Sequence, residues 1–458
     1  MTRSVAVPRL QHHDGVLPLR RTRMRGRTLA ALDGGAGEIY ACSVATGRLQ
    51  NVRVAIVVLG DIARSPRMRH HATAMAAEGA TVDLIGYVEN DFPAALARHP
   101  RIHVRELPAH RSSGSERSSS LAYISRGVVR SWRLAWSLLR ALGGVPSLDL
   151  VLIQNPPIFP TAAIAFTVAR CRGARVVIDW HNLSFAMLAL RVGREHPIAE
   201  LSRQWEGRIG SMADGHLCVS RAMSEVLRDS WDVNAAVLYD RPPKMIETAD
   251  ATTREDFLRR VWSVENARDC PVVVTATSWT DDEDADMLLA AACEVDRRLE
   301  ADSAAHRFLF IASGDGPNRA AFERNVERCD LKRVAILTGW LSPDDYDTML
   351  ACADLGVSLH RSASGIDLPM KIADMRGAAL PVAALDYGPV LREILDPGVD
   401  GLLFSDSVDL ARIIERLIVD RDGDELQLLG RTVRERFVAT WRDGWTMEAL
   451  PTIESLTT

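Results

Sequence analysis

At 458 residues the chain is too long for one typical core, and its length predicts two or three domains. It is 47% hydrophobic and 25% charged with a formal net charge of −5, an ordinary globular balance that lends no support to nucleic-acid binding. The seven cysteines (Cys42, Cys171, Cys218, Cys270, Cys293, Cys329 and Cys352) form no CxxC pair, which argues against a disulfide framework or a zinc site and for a reducing compartment, and no apolar run is long enough to span a bilayer.

Residues 1–50 carry the basic cluster Arg20, Arg21, Arg23, Arg25 and Arg27 ahead of TLAALDGGAGEIY, a poor signal-peptide core, and are expected to form a weakly structured extension without chemistry of their own. Folded structure is predicted to begin with VRVAIVVL at 52–59, an almost wholly apolar strand of the kind buried on both faces of a parallel sheet. Asp61 follows at its carboxyl end, where open α/β sheets place ligands, although capping a turn is the plainer use of an aspartate there. Ser65-Pro66 opens a helix, an N-terminal anion site with Arg64 and Arg67 beside it. Strands at 81–87 and 102–107 lead to a polar loop, RSSGSERSSS, at 111–120. In the helix predicted over 121–142, Arg126, Arg130, Arg133 and Arg140 share a face. That pattern suits peripheral contact with an anionic membrane and equally suits a solvated core helix.

A strand at 150–153 ends in QNPP, a nearly all-apolar helix covers 161–168, and a strand at 174–178 ends in Asp179-Trp180-His181-Asn182. A histidine at the mouth of a sheet titrates near neutrality, the placement wanted for acid-base work or for gripping a sugar. A helix at 197–212 carries Trp205 and Glu206, a strand occupies 215–219 with a helix from Ser220, and DRPPK at 240–244 opens a polar linker reaching about 255.

A second series of strands is expected at 271–276, 308–312, 334–337, 355–359 and 380–384, each followed by a polar loop and a helix. Such alternation predicts an α/β architecture with two Rossmann-like, doubly wound domains, 51–245 and 255–423, facing across a cleft in the GT-B layout, and a helix within 424–458 crossing back to the first domain. In the stretch 354–377, an apolar strand, the turn Ser362-Ala363-Ser364-Gly365 and a helix from about Leu368 make a candidate phosphate site. Pro369 suits the helix's first turn, Lys371 adds a positive charge, and Asp374 is placed to accept from ribose hydroxyls; an ordinary strand-turn-helix remains an equal reading.

The run SASGIDLPMKIADMRG resembles the signature of the chitobiosyldiphosphodolichol β-mannosyltransferases. VVLGDIARSPRM, LIQNPP, VIDWHN, TSWTDDED and ADLGVSLH resemble the same family in collinear order between residues 52 and 404. The resemblance implies inverting transfer of mannose from the nucleotide sugar GDP-mannose to a lipid-diphosphate-linked or other glycan acceptor, with no metal or other cofactor. It further implies that Ser364, Gly365 and Lys371 hold the diphosphate, that Asp374 lies by the ribose, and that Gly314, Gly316 and Trp340 flank the guanine. Ser278 and Asp367 fall on the same nucleotide-sugar side, while Asp61, Arg64, Asp179, His181 and Asn182 line the acceptor side. Asp61 and His181 are the two candidates for the catalytic base. Asp315 departs from the family pattern, standing where the Gly-Lys-Gly-Pro loop has its lysine. With no N-terminal anchor apparent, the expected location is cytoplasmic, peripheral on the inner face of the cytoplasmic membrane, with a polyprenyl-linked or other acceptor. Rival readings are a GT-B enzyme with a UDP-linked or glucosyl donor, a sugar-nucleotide 2-epimerase, and a non-catalytic binding subunit.

Overall fold

The computed structural model describes residues 47–89, 92–108, 133–157, 161–193, 195–265, 267–268, 270–301, 308–362, 364–419 and 424–458. The polar loop at 111–120, Arg126 and Arg130 of the basic face expected over 121–142, Ala363 and nearly all of the N-terminal extension lie outside them.

The described strands form two wholly parallel sheets. The first contains β1 (Arg53–Asp61), β2 (Thr81–Tyr87), β3 (Ile102–Glu106), β4 (Leu150–Asn155), β5 (Arg175–Trp180), β6 (Gly215–Cys218) and β7 (Ala236–Val237), in the order β3-β2-β1-β4-β5-β6-β7. The second contains β8 (Val272–Ala276), β9 (Phe308–Ser313), β10 (Val334–Gly339), β11 (Leu355–Ser358), β12 (Val382–Leu385) and β13 (Gly401–Phe404), in the order β10-β9-β8-β11-β12-β13. Continuous apolar strands suit this arrangement because helices cover both faces. Along β1, Ala55 and Val57 enter one core with Phe166 and Ile178, while Val54, Ile56 and Val58 enter the opposite core with Met68 and Trp445.

Strand order reverses between β1 and β4 in one sheet and between β8 and β11 in the other, so the loops after these four strands flank the crevices in which such sheets bind ligands. The two carboxyl edges meet. After β1, Arg64 donates to the backbone oxygen of Asp315 after β9 at 3.3 Å. After β6, the Ser220 hydroxyl donates to the Ile366 carbonyl. Glu393 accepts from the backbone N–H groups of Arg221 (2.6 Å) and Ala222 (2.8 Å) at the start of the Arg221–Trp231 helix, and from the Tyr239 hydroxyl (2.8 Å), which joins the lobes near their hinge.

Several boundaries differ from the sequence reading. β7 has two residues and β13 four, too short to show periodicity, so the second sheet has six strands where five were expected. The polar stretch ends sooner than expected: the Asp250 side chain accepts from Thr253 N at 2.7 Å and caps the Ala251–Trp262 helix. The last helix is three: Glu425–Arg436, Trp441–Glu448 and Leu450–Thr457, with a restart on a Thr440/Asp443 capping box. Leu429 of the first packs in the core of the second lobe, whereas Trp441, Trp445, Leu450 and Ile453 are buried in the first lobe. Among the described residues no helix is long and apolar enough to cross a membrane.

Candidate active site

The first lobe contributes a network centred on Asp179, the fifth residue of β5, which is fully buried. Arg67, one residue into the Pro66–Ala77 helix and 1% exposed, grips both oxygens of Asp179, with Nε at 2.8 Å and Nη2 at 2.9 Å. Its Nη1 reaches Asp240 at 2.8 Å and the Leu238 carbonyl at 2.9 Å. His71, one turn along the same helix, places Nε2 at 3.1 Å from Asp179, and its Nδ1 accepts from the Trp445 indole at 3.0 Å, which fixes the proton on Nε2. His181 Nε2 lies 2.7 Å from the same carboxylate. Burial alone would raise the Asp179 carboxyl, but Arg67, His181 and His71 outweigh it and hold Asp179 well below the usual range. An ionised Asp179 accepts a hydrogen bond from Nε2–H of His181, which leaves Nδ1 as the basic nitrogen of a partly exposed imidazole, the arrangement of an oriented general base.

The loop carrying His181 is locked from beneath. Asn155, at the end of β4, donates to the Asn182 carbonyl at 3.1 Å and to Glu206 at 2.7 Å. Glu206 in turn accepts from the backbone N–H groups of Ser184 (2.7 Å) and Phe185 (2.9 Å), capping the Ser184–Val192 helix. Burial pushes the Glu206 carboxyl upward against these hydrogen bonds.

The second lobe repeats the pairing of a histidine at a strand end with an aspartate. His360, just beyond β11, places Nε2 3.0 Å from Asp367 and Nδ1 3.6 Å from Asp282. Burial alone would lower His360, but the two carboxylates raise it to about 9. Asp367 also accepts from the hydroxyls of Ser362 and Ser364, the latter at 3.1 Å. Next to it, Lys371 forms an ion pair with Glu283, whose other oxygen accepts from Thr277 Oγ1 at 2.7 Å and from Ser278 N at 2.6 Å. Burial brings Lys371 down to about 8, against the pull of Asp282 and Asp374. Among the described residues no side chain caps the Met370–Gly377 helix, so none of them sets a carboxylate on its first-turn amides. Gly365 has φ +77, and nothing lies within 4 Å of where a Cβ would stand. An uncapped helix start, an open glycine turn and a shielded ammonium are together able to hold an anion. Asp374, half-buried behind Lys371, accepts from the Tyr346 hydroxyl at 3.3 Å, and burial raises it to about 7.

The upper wall is built by close backbone packing. A Cβ at Gly314 (φ +151) would stand 1.7 Å from the Thr277 carbonyl oxygen, and one at Gly316 would stand 1.9 Å from that of Ser278. Beside this loop Trp340 is 64% exposed, with the Arg64 guanidinium from the other lobe 6.0 Å from its ring centre. A separate cavity of about 510 Å³ lies at the hinge, lined by Tyr239, Pro242, Leu368, Pro369, Arg376 and Glu393 among others. Its lining takes in Leu368 and Pro369 at the start of the Met370–Gly377 helix but neither His181 nor Lys371.

A family model described as "Glycosyl transferase 4-like domain" matches residues 65–238. The chitobiosyldiphosphodolichol beta-mannosyltransferase of Mus musculus is 30% identical over 439 residues, which cover 89% of this chain and 89% of the relative. The chain belongs to the chitobiosyldiphosphodolichol β-mannosyltransferase-like glycosyltransferases. A protein named UDP-glycosyltransferase TURAN, from Arabidopsis thaliana, is 35% identical over 409 residues, covering 78% of this chain and 87% of the relative. The crystal structure of Anabaena HepE in complex with UDP and glucose superposes with a TM-score of 0.63 at 14% identity, covering 89% of this chain and 99% of that one, a likeness of GT-B fold.

In this glycosyltransferase several residues anticipated from sequence hold different posts. Asp179 is sealed beneath His181 and does not reach the acceptor side, because its carboxylate is spent on Arg67, His71 and His181. Arg67 is correspondingly unavailable to an anion. Asn182 turns its Oδ1 to Leu183 N at 2.8 Å, shaping the next helix. Asp61 accepts from Ala63 N at 3.0 Å and Glu89 N at 3.3 Å, the turn-capping use. Asp367 organises the 362–367 turn and is neutralised by His360. Gly314 is a buried packing glycine, and Pro369 is the helix N-cap, one position earlier than the first turn. Arg64, His181, Ser278, Gly316, Trp340, Ser364 and Gly365 lie in the segments that follow strands, whereas Lys371 and Asp374 are the second and fifth residues of the Met370–Gly377 helix. Sequence reasoning missed Glu283, His360 and Arg67's structural part; His360 was detectable, since it ends an apolar strand as His181 does.

Proposed function

We propose that the protein is an inverting β-mannosyltransferase that moves mannose from GDP-mannose to a lipid-diphosphate-linked acceptor. The observation that carries this reading is the pairing, across one cleft, of an aspartate-oriented histidine with a cation-backed helix start. An acceptor hydroxyl attacks the anomeric carbon on the face opposite GDP, and His181 Nδ1 takes its proton. The bond to the diphosphate breaks, and the charge that develops on the leaving group is met by Lys371 and the first-turn amides of the Met370–Gly377 helix. Lys371 exchanges Glu283 for the diphosphate when donor binds, and no metal ion is required, so turnover persists in EDTA. Asp374 accepts from the ribose hydroxyls.

The upper wall offers a seat for the nucleotide base. Trp340, 64% exposed, offers a stacking face to a base, while Asp315 stands where the family's Gly-Lys-Gly-Pro loop has its lysine, so this loop's contacts to the base differ from the family's. The relatives named as β-mannosyltransferases favour mannose as the transferred sugar. A second reading, a UDP-sugar donor, is favoured by the name of the Arabidopsis relative. Calorimetric titration separates the two: GDP is expected to bind at least about tenfold more tightly than UDP, a difference of about 1.4 kcal/mol. The reverse order would move the assignment to the UDP-sugar reading.

A further inference from the structure

The most unusual surface outside the cleft is an apolar one. Of the sixteen large apolar side chains that are exposed among the described residues, seven lie between 187 and 212, so they are clustered and not scattered. The Ser184–Val192 helix, SFAMLALRV, buries only Ala189 despite its composition. It packs against the Pro197–Gly210 helix, and both present apolar stripes outward. On the first, Met187 and Leu190 (62% exposed) stand three residues apart; on the second, Ile198, Leu201 and Trp205 (58% exposed) follow at spacings of three and four.

Each stripe carries an arginine. Arg191 adjoins Leu190, and Arg208 continues the Ile198–Leu201–Trp205 row at the next helical position; both are exposed. Arg203, on the neighbouring row, is neutralised by Glu200 at 2.8 Å. Apolar stripes edged by cations, on a chain whose formal net charge is −5, match an acyl layer beneath anionic headgroups.

We infer that the helix pair 184–210 docks on the surface of an anionic lipid bilayer, with Leu190, Leu201 and Trp205 in the acyl boundary and Arg191 and Arg208 among the headgroups. The pair begins three residues after His181, and Glu206 of its second helix caps its first, so the His181 loop is rigidly tied to the docked surface. Resting on the transferase reading above, this brings the diphosphate end of a lipid-linked acceptor to His181 without requiring the lipid to leave the membrane.

The test uses the full chain with vesicles of phosphatidylcholine containing about one-third phosphatidylglycerol, and no donor or acceptor. Wild type is expected to co-sediment. The Leu190→Glu/Leu201→Glu double variant should lose at least about tenfold in partition while keeping the wild-type thermal midpoint. Arg191→Glu/Arg208→Glu should weaken binding to the anionic vesicles and leave the weak binding to pure phosphatidylcholine unchanged. Equal partition of wild type and the double leucine variant would overturn the inference. So would an absence of vesicle binding combined with self-association, seen by sedimentation velocity, that the leucine substitutions abolish. Because the assay needs no sugar transfer, a protein that binds vesicles but transfers nothing would count against the proposed activity alone.

Discussion

Asp179→Asn probes both the architecture and the chemistry of the first lobe. The carboxylate receives four close contacts, two from Arg67 at 2.8 and 2.9 Å, one from His71 at 3.1 Å and one from His181 at 2.7 Å, and Arg67 is 1% exposed. Removing one partner of a buried ion pair costs about 3–5 kcal/mol, because the other charge is left uncompensated. Here Asp240 still holds Arg67 at 2.8 Å, which places the loss near the lower end, about 3 kcal/mol. For a lobe of this size that corresponds to a fall in Tm of roughly 6–12 °C, measurable by calorimetry or circular dichroism at pH 7. The pH dependence carries a sign. Asp179 is depressed in the folded state, so its contribution is present above its unfolded value, near 4, and is lost as pH falls toward its folded value; the gap between wild type and variant should narrow below about pH 4. A Tm change under about 2 °C at pH 7 would refute the account of Asp179 as a buried anchor.

His181→Ala should lower kcat by about 10² or more in a transfer assay while changing the KM for donor little, since the imidazole acts on the acceptor's proton; a purely structural role would instead appear as a matching loss of Tm. Lys371→Ala should lower kcat/KM for the nucleotide sugar by about 10² through loss of charge stabilisation on the leaving diphosphate, and an unchanged value would remove Lys371 from the donor site. His360, raised to about 9, contributes stability that is complete below its unfolded value near 6.5 and is lost as pH rises through 9. Urea titrations of wild type and His360→Gln at pH 6 and pH 9.5 should differ by at most about 3 kcal/mol more at the lower pH; a pH-independent difference would show that His360 carries no linked proton.

The sheets were legible in the sequence because a parallel strand buried on both faces is an unbroken apolar run, and most such runs of four or more residues were read as strands. β7 and β13 escaped because two and four residues carry no period. The helix starting at 251 escaped because its stop and start signals lie in a polar stretch that also reads as linker. His181 was legible as a strand-end histidine, but the group that orients it was misplaced: Arg67 and Asp179 are 112 positions apart, and nothing local tells an arginine near a helix start that it will face a buried carboxylate instead of a phosphate. Glu283 was hidden in TDDEDAD, where it is one carboxylate of several and only the fold selects it for Lys371. The apolar row from 184 to 205 is ambiguous in sequence, since a buried helix and a docking helix share the same composition; burial of Ala189 alone in the first helix separates them.

The central claim is most directly tested by the anomeric configuration of the product. Purified protein incubated with radiolabelled GDP-mannose and a chitobiosyl-diphosphate lipid should transfer label to the lipid fraction, and β-mannosidase, but not α-mannosidase, should release it. Release by α-mannosidase, or incorporation from a UDP-sugar with none from GDP-mannose, would contradict the account.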